Sequence, residues 1–250
     1  MKPWLSIIIV HYQARQALVN CLKSLSKVSD QTPFEVIVIN NDQGQLDLPS
    51  AKVINSPTNL GYGQGNNLGA KKAQGKYLWF LNPDTLVKSG TIDALVGFME
   101  KNPKVGLVAP TIVHANGRRY KIQGSTDLTP LTAFFSHSAL VKIWPNNPLR
   151  RRHLLQNTNP NIDREVGAVP GSVLMIRRQL FNKIGRFDKN FFLYFEEHDL
   201  CLRVRKAGKQ VFLLAKPKVV HIGGQSSLGA STKKHFDQSR RYYFRKHFGW

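Results

Sequence analysis

The chain has few cysteines and no long apolar run, and each absence narrows the possible classes of protein. Cys21 and Cys201 are the only cysteines among 250 residues, which argues against a disulfide framework and suits the reducing cytoplasm. No segment approaches the roughly 20 consecutive apolar residues that span a bilayer. The apolar run at residues 5–10 stops at His11, and no small-residue cleavage site follows it. We therefore expect neither a signal peptide nor a transmembrane helix.

Acidic side chains are also scarce. The chain has 15 Asp and Glu against 36 Lys and Arg, which gives a formal net charge of +21. Such a surface favours phosphate-bearing partners, whether nucleotides, nucleic acids or anionic lipid head groups. The basic residues follow neither a recognition helix nor an aromatic RNA-binding signature, so we expect no nucleic acid as a partner. Retention on heparin, with no effect of sugar nucleotides on melting, would instead favour nucleic acid.

Apolar runs alternate with helical patterns in the first half of the chain. Residues 5–10 and 36–39 are continuous β-branched runs, typical of strands buried on both faces of a parallel sheet. Between them, residues 14–27 carry apolar side chains at helical spacing, which predicts a right-handed βαβ unit. The next predicted elements are a strand at 52–54, a helix at 65–74, a strand at 76–81 and a helix at 90–101.

The second half is less regular. Strands are predicted at 105–108, 171–176 and 211–214, and helices at 179–181 and from about Glu196. Asn116-Gly117 is a hairpin turn signal. Residues 125–164 predict a long, partly helical excursion, which is either an irregular surface lobe or a lobe that faces an acceptor or a membrane.

Polar residues follow the predicted strands, where ligands gather in such sheets. Tyr12 and Asp84 each come just after an apolar run. The Asn40-Asn41-Asp42 cluster follows the apolar run at residues 36–39. Asp84 has a simpler interpretation as a turn or helix-capping residue after Pro83. His221 follows Val219-Val220, and a lone histidine is more often structural than a ligand.

Glu196, Glu197 and Asp199 crowd three carboxylates into four residues beside phenylalanines. This arrangement costs free energy unless a metal, a basic partner or a substrate offsets it. For Asp199 we prefer a simple ion pair with Arg203 one turn later. Together, an Asp at a strand end, an acidic pair that opens a helix and a later His indicate a metal-assisted transfer site.

A glycine-rich stretch covers residues 61–69. It lacks the G-x-G-x-x-G dinucleotide pattern and follows the third predicted strand rather than the first. It is either a flexible entry to a helix or, as we prefer, a place where small residues let the backbone approach a nucleotide while Asn59 and Asn67 donate hydrogen bonds.

Taken in order, these motifs resemble the family 2 glycosyltransferases of the GT-A fold, in particular the rhamnosyltransferase-like branch that builds bacterial surface polysaccharides. The resemblance covers nearly the whole chain and is weakest at residues 125–164. The segments that carry it are residues 6–12, 59–67, 80–85, 171–178, 192–203 and His221.

The resemblance implies an α/β GT-A domain over residues 1–250, with a mostly parallel central sheet flanked by helices. Residues 1–110 would form the nucleotide-sugar half, residues 111–222 the acceptor half with its variable lobe, and residues 223–250 a basic aromatic segment. The implied enzyme is metal-dependent and inverting. It moves a sugar from dTDP-rhamnose or a UDP-sugar to a glycan acceptor, lipid-linked, in O-antigen, capsule or lipopolysaccharide synthesis. The alternative is a sugar-nucleotide-binding module without catalysis, which the presence of Asp84, Glu197 and His221 argues against.

The resemblance also implies residue roles. Asn82-Pro83-Asp84 takes the place of the family's D-x-D motif, so Asp84 and His221 would hold Mg²⁺ or Mn²⁺. Glu197 would be the catalytic base, a Glu in place of the commoner Asp, with Glu196 and Asp199 as secondary candidates. Gly171 and Ser172 would lie on the acceptor side. The implied donor-binding residues are His11, Tyr12, Asn40, Asp42, Asn59, Gly61, Asn67, Asn82 and Asp84.

The resemblance implies an enzyme of the cytoplasm that binds peripherally to the inner face of the cytoplasmic membrane. Residues 233–250 mix cations with aromatic rings, a composition that suits an anionic membrane surface. The alternative is a terminal helix whose aromatic side chains pack on the core while its cations stay solvated.

Overall fold

The computed structural model describes residues 2–138, 140–223 and 230–249 of the chain. In this part the strands are β1 (Leu5–His11), β2 (Phe34–Asn40), β3 (Lys52–Asn55), β4 (Tyr77–Leu81), β5 (Thr85–Val87), β6 (Val105–Val113), β7 (Arg164–Glu165), β8 (Met175–Arg177) and β9 (Gln210–His221). The helices are α1 (Arg15–Leu25), α2 (Gly61–Lys72), α3 (Thr91–Lys101), α4 (Pro130–His137), α5 (Leu140–Ile143), α6 (Pro148–His153), α7 (Arg178–Lys183), α8 (Glu196–Lys206) and α9 (Ala230–Phe248). A short 3-10 helix covers Gly171–Val173.

The strands form one mixed sheet in the order β3-β2-β1-β4-β8-β6-β9-β5, and β7 pairs with β9 beside this path. The long pairings are parallel, whereas the antiparallel pairings of β5, β7 and β8 are short. Because β1, β2 and β4 are parallel, their carboxyl ends meet at one edge of the sheet. His11 lies opposite Asn40, and β4 ends at Leu81 opposite Ile9. This edge carries His11 and Asn40, two of the candidate donor-binding residues.

The continuous apolar runs become the most deeply buried strands. Every residue of β1, β4 and β6 is buried, and each of these strands lies between two others in the sheet. Helix α1 buries the apolar stripe that the sequence predicts, through Leu18, Cys21, Leu22 and Leu25. The predicted hairpin at Asn116-Gly117 is confirmed, since Gly117 has a φ of 81° and Val113 bridges Arg119.

Several predicted boundaries are wrong. Helix α2 begins at Gly61 rather than at residue 65, so the glycine-rich stretch is the first part of the helix and not a flexible entry. The predicted strand at residues 171–176 is a 3-10 turn followed by the short strand β8. The strand predicted at residues 211–214 continues to His221 as β9. Residues 215–217 form a bulge, where the register of β9 with β6 shifts between Pro110 and Thr111, and the pairing resumes after it.

The partly helical excursion predicted at residues 125–164 contains α4, α5 and α6. Helix α9 lies in the predicted basic aromatic segment, of which residues 224–229 and Trp250 lie outside the described residues. Tyr243 of α9 packs with Leu128, Phe191 and Phe195 in a second apolar cluster. Among the described residues, no helix is both long and apolar enough to cross a membrane.

Candidate active site

The acidic pair opens helix α8 after a sharp backbone turn. Tyr194 and Phe195 have φ values of 70° and 67°, a left-handed conformation that costs about 1–2 kcal/mol for each non-glycine residue. The buried side chain of Phe195 packs against Phe236 and Tyr243, which stabilises the turn. The turn places Glu196 and Glu197 at the helix amino terminus, where the backbone dipole favours negative charge.

The two glutamates have different surroundings. Glu196 is 4% exposed, and burial, together with the charges of Glu197 and Asp199, raises its pKa well above the usual range. Glu197 keeps 21% of its side-chain exposure. Burial raises the pKa of Glu197 to about 7, against the opposing effect of backbone N–H groups at residues 195, 197 and 198. Glu197 is therefore the more accessible carboxyl group, with a pKa close to neutral pH.

His198 adds an uncharged neighbour. Its Nε2 atom lies 4.0 Å from Oε1 of Glu197. Burial lowers the pKa of His198 to about 4, so the imidazole is neutral at pH 7. A neutral ring beside Glu197 adds no cation that would hold the carboxyl group ionised.

The 3-10 helix joins the acidic pair to the end of β4. Gly171 lies against Glu197, since a Cβ atom at Gly171 would stand 3.3 Å from Cβ of Glu197. The Tyr62 hydroxyl donates to the Gly171 carbonyl at 2.5 Å. The backbone N–H of Asn82 donates to the Ser172 carbonyl at 2.9 Å. The structure thus brings the predicted acceptor-side residues, the predicted base and the Asn82-Pro83-Asp84 segment together.

Asp84 and His221 meet across the β5–β9 pair. Thr85 lies opposite His221, and the N–H of Ile222 donates to the Asp84 carbonyl at 2.9 Å. As a result, Oδ1 of Asp84 lies 3.1 Å from Nε2 of His221. Both atoms are buried, and neither makes a hydrogen bond within the described residues. Tyr120, which the sequence reasoning missed, donates to the His221 carbonyl at 2.9 Å and holds the end of β9.

A carboxylate oxygen and an imidazole nitrogen with no other partner fit a divalent cation such as Mg²⁺ or Mn²⁺. The described part of the chain has no group of three or more His, Cys, Asp or Glu side chains that could hold a metal ion. A cation held by Asp84 and His221 would therefore take its remaining ligands from water and substrate, as Mg²⁺ commonly does in phosphate sites.

A second polar group lies where β1 and β2 end. Nε2 of His11 is 3.0 Å from Oδ2 of Asp42, which also accepts from the N–H of Gln13 at 2.8 Å. Burial lowers the pKa of His11 more than the nearby Asp42 carboxylate raises it. Nδ1 of His11 is buried without a hydrogen bond, and the Tyr12 side chain is exposed. These residues line the sheet edge together.

Other predicted donor residues shape the loops around this edge. Nδ2 of Asn40 donates to Oδ1 of Asn55 at 2.8 Å and to the Gly44 carbonyl at 3.1 Å. Oδ1 of Asn59 accepts from Nδ2 of Asn41 at 3.2 Å and from the N–H of Gly61 at 2.9 Å. The described contacts of Asn40 and Asn59 therefore hold the loops at residues 44 and 61. The buried Asn41, next to Asn40 in the chain, bonds Asn59.

The glycine-rich helix α2 packs against the segment that leads into the acidic pair. A Cβ atom at Gly61 would stand 2.3 Å from the Phe192 carbonyl oxygen, so only glycine fits there. Asn67 bonds the backbone of Phe187 with both of its amide atoms, at 2.8 and 3.1 Å. The structure thus places Gly61 and Asn67 against residues 187–192. The preferred sequence interpretation, a backbone close to a nucleotide, did not foresee this contact.

Asp199 is fully buried in an ion-pair cluster. Its Oδ2 atom accepts from Arg203 at 2.6 and 2.8 Å, which confirms the predicted i,i+4 pair. Its Oδ1 atom lies 2.6 Å from Nζ of Lys246 and 2.8 Å from Nε2 of His247, both on α9. Asp199 therefore links two helices, and both of its oxygens are engaged.

Comparison with known sequences decides the family. The sequence profile described as Glycosyl transferase family 2 matches residues 6–185. The chain belongs to the family 2 glycosyltransferases. The matched segment includes His11, Asp42, Asp84 and Gly171 but ends before Glu197 and His221, so the roles of these two residues rest on the geometry above.

This glycosyltransferase has rhamnosyltransferases among its relatives. It is 28% identical over 274 residues to the N-acetylglucosaminyl-diphospho-decaprenol L-rhamnosyltransferase of Mycobacterium tuberculosis, with coverage of 100% of the chain and 87% of the relative. It is 22% identical over 261 residues to the rhamnosyltransferase WbbL of Escherichia coli K12, with coverage of 96% and 92%. The predicted rhamnosyltransferase-like character of the chain is confirmed.

Solved structures share the fold of this glycosyltransferase. GalNAc-T7 with UDP, GalNAc and Mn²⁺ matches 97% of the chain with a TM-score of 0.67 and 17% identity. TarS of S. aureus matches 100% of the chain with a TM-score of 0.61 and 16% identity. The chain spans 50% and 44% of these two proteins, respectively. At such identities the likeness establishes the fold alone, and it confirms the predicted GT-A class.

Proposed function

We propose that this enzyme transfers a sugar, with inversion, from dTDP-rhamnose or a UDP-sugar to a hydroxyl group of a lipid-linked glycan in bacterial surface polysaccharide synthesis. The observation that carries the proposal is the convergence of Glu197, Gly171 and the Asn82-Pro83-Asp84 segment through one short 3-10 helix. The names of the two rhamnosyltransferases support the donor class, and one of these names includes a diphospho-decaprenol acceptor.

Glu197 is the proposed catalytic base. It takes the proton from the acceptor hydroxyl as that oxygen attacks the anomeric carbon and the bond from this carbon to the diphosphate oxygen breaks, which releases the nucleoside diphosphate; no covalent glycosyl-enzyme forms. A pKa of about 7 suits this task, because a base near the working pH is both ionised and able to hold a proton. Buried Glu196 remains protonated, which lets Glu197 carry the single charge of the pair.

Asp84 and His221 are the proposed ligands of a Mg²⁺ or Mn²⁺ ion. Their Oδ1 and Nε2 atoms lie 3.1 Å from each other and have no other partner among the described residues, which supports this assignment. When bound, such an ion would offset the negative charge of the donor diphosphate. The Tyr120 hydroxyl donates to the His221 carbonyl, and the pairing of β9 with β5 places His221 beside Asp84, so the two ligands stay close without the ion.

His11, Tyr12 and Asp42 are the proposed nucleoside contacts. They lie where parallel strands end, the usual ligand position in such sheets. The exposed Tyr12 ring is available for stacking, and Nδ1 of His11 is available for a hydrogen bond. Asn40, Asn59, Gly61 and Asn67 act indirectly in this proposal, since they hold the surrounding loops.

The enzyme is proposed to act in the cytoplasm, peripherally on the inner face of the membrane, because its proposed acceptor carries a lipid. The aromatic residues of α9 support the packing alternative for the carboxyl-terminal segment. Tyr243 is buried and Tyr242 donates to Asp188 at 2.8 Å, whereas Lys233, Lys234, Arg241 and Arg245 remain exposed.

Thermal melting with nucleoside diphosphates tests the donor and metal assignments. We expect dTDP or UDP to raise the melting temperature of the wild type only when Mn²⁺ is present. Asp84→Asn should lose this stabilisation, because a neutral amide binds Mn²⁺ weakly. The matched control is Asp47→Asn, which removes the same charge from an exposed position and should keep the full effect.

The fold of each variant is checked by its far-ultraviolet circular dichroism and by a cooperative melt. If a folded Asp84→Asn variant retains the Mn²⁺-dependent stabilisation by nucleoside diphosphate, Asp84 is not the ligand. If the wild type responds to no nucleoside diphosphate, the donor class itself is wrong.

A further inference from the structure

The lobe that contains α4, α5 and α6 exposes an unusual number of large apolar side chains. Ile143 is 84% exposed, Leu131 61%, Phe134 57% and Trp144 52%, and Leu149 is also exposed. We call these five residues the lobe surface. Single exposed apolar residues need no explanation, but five within nineteen consecutive positions indicate an interaction site.

A hydrogen-bonded framework holds these side chains outward. The Thr129 side chain caps α4 and accepts from the N–H of Thr132. The fully buried Asn147 donates to the carbonyls of Phe135 and Trp144, at 3.1 Å each, and caps α6 by accepting from the N–H of Arg150 at 2.7 Å. The apolar exposure is therefore a property of an ordered lobe.

Charge accompanies the apolar side chains. Residues 128–162 contain no Asp or Glu but four cations, of which Lys142, Arg151 and Arg152 are exposed. Cations bind anionic lipid head groups, and tryptophan favours the membrane–water interface. A second copy of the chain is a poor occupant, because a two-fold contact through this surface would bring the same cations together.

The base of the lobe lies beside the candidate active site. Ala133 of α4 and Leu128, just before it, pack in the cluster that contains Phe195 and Tyr243. Phe195 immediately precedes Glu196-Glu197 and sets the turn that opens α8. The lobe thus rests on the residue that positions the proposed base.

We propose that the lobe surface docks the enzyme on an anionic phospholipid membrane. Phe134, Ile143 and Trp144 enter the interface, while Arg151 and Arg152 lie against the lipid phosphates. This docking site deepens the proposed function. It rests on that function in one respect, since a lipid-linked acceptor gives the enzyme a reason to approach a membrane. Docking itself requires no sugar nucleotide.

The surface offered by α9 differs from the lobe surface. Most of its aromatic residues pack inward, against Phe191, Phe192 and Phe195. Its exposed cations, which include Arg241 and Arg245, therefore have few apolar companions. Long-range attraction to lipid is available to both surfaces, but insertion is available mainly to the lobe. This difference supplies a matched control.

Sedimentation with vesicles tests the proposal. The full chain is mixed with phosphatidylcholine vesicles that contain or lack phosphatidylglycerol, at low and high salt. We expect binding to the anionic vesicles only, weakened by salt, with a blue shift of tryptophan emission. Arg151→Gln/Arg152→Gln should lower the partition coefficient roughly ten- to thirtyfold. Phe134→Ser/Ile143→Ser/Trp144→Ser should lower it at least about tenfold and abolish most of the blue shift.

Two controls carry similar changes elsewhere. Arg241→Gln/Arg245→Gln removes two exposed cations from α9, and Ile122→Ser/Ile162→Ser removes two exposed apolar side chains outside the lobe surface. Both controls should change the partition coefficient less than the corresponding lobe variants. Equal losses in lobe and control variants would overturn the proposal in favour of nonspecific charge attraction.

Other outcomes are equally decisive. Absence of wild-type binding to anionic vesicles at low salt overturns the proposal. Wild-type dimers that the triple Ser variant abolishes, seen by sedimentation velocity without lipid, would assign the surface to a second copy. Melting with nucleoside diphosphate and Mn²⁺ is measured in parallel for all variants. Vesicle binding without nucleotide binding would support docking while refuting the proposed donor, so the two failures are distinguishable.

Discussion

Three neighbouring carboxyl groups have three different roles because their surroundings differ. Glu197 is partly exposed and lies on Gly171, Glu196 is buried beside it, and Asp199 is saturated by Arg203, Lys246 and His247. Burial of two like charges is unfavourable, so one carboxyl group of the glutamate pair stays protonated. Tyr62 lies near both glutamates, and burial together with their charges raises the pKa of its hydroxyl.

Replacement of the proposed base should remove catalysis but not donor binding. Glu197→Gln keeps the size of the side chain but cannot accept the proton, so we expect transfer to fall about 10²- to 10⁴-fold. Mn²⁺-dependent melting with nucleoside diphosphate should be unchanged. The control Glu165→Gln alters an exposed carboxylate and should transfer normally. Near-normal turnover by Glu197→Gln would move the role of base to another residue.

The pH dependence provides an independent test of the same group. Protonation inactivates a base, so the wild-type transfer rate should fall as the pH decreases through about 7. The folded-state pKa of Glu197 is raised, so folding binds a proton between the ordinary value of 4.5 and about 7. The free energy of unfolding should therefore decrease as pH rises through this window. Glu197→Gln should lose this component, as measured by urea titration at pH 5 and pH 8.

At the scale of elements, α9 docks on α8 and on the loop before it through ion pairs, of which only the Asp199 carboxylate is fully buried. Lys246 lies 2.7 Å from Asp188 and 2.6 Å from Asp199. Burial alone would raise the pKa of Asp188, but hydrogen bonds from Lys246, Asn190 and Tyr242 outweigh it and hold the pKa at about 2. This stabilisation is present above the ordinary pKa of 3.8 and is lost as the pH falls toward 2.

Removal of the shared carboxylate should loosen this docking. Asp199→Asn removes a fully buried carboxylate from Arg203 and Lys246, whose own side chains are only partly buried. Breaking a fully buried pair typically costs about 3–5 kcal/mol, so we expect a loss in the free energy of unfolding toward the lower end of that range, measured by urea denaturation. The control Asp237→Asn breaks the exposed pair with Arg240 and should cost at most about 1 kcal/mol. Equal stabilities of the two variants would contradict the buried role of Asp199.

At the scale of the whole molecule, the net charge of +21 is a source of self-repulsion. A compact fold concentrates this charge, whereas the unfolded chain spreads it. Salt screens such repulsion, because the Debye length falls from about 30 Å at 0.01 M to about 8 Å at 0.15 M. The excess charge therefore disfavours the folded state most at low ionic strength.

Added sodium chloride should therefore stabilise the protein. We expect the melting temperature to rise between about 10 and 150 mM salt, measured by differential scanning fluorimetry. Sucrose at matched osmolality controls for effects unrelated to charge. A melting temperature that falls with sodium chloride would mean that the surface ion pairs outweigh the net repulsion.

The sequence by itself determined those features that depend on neighbouring residues. Continuous β-branched runs have few alternatives to buried strands, so β1 and β2 were predictable, and the apolar spacing from Leu18 to Leu25 predicted α1. Acidic residues after an apolar stretch likewise indicated the start of α8 at Glu196. The order of these motifs was enough to indicate the family.

Only the tertiary structure decided the features that depend on contacts between distant segments. The early start of α2 follows from its close packing on Phe192, and the fit of the Asp84–His221 pair to a metal ion follows from the register of β5 with β9. The resemblance already implied Glu197 as the base, but its exposure, its contact with Gly171 and the burial of Glu196 are visible only in the tertiary structure. Burial, register and pKa are set by chain segments far apart in sequence, and a local pattern of residues cannot encode them.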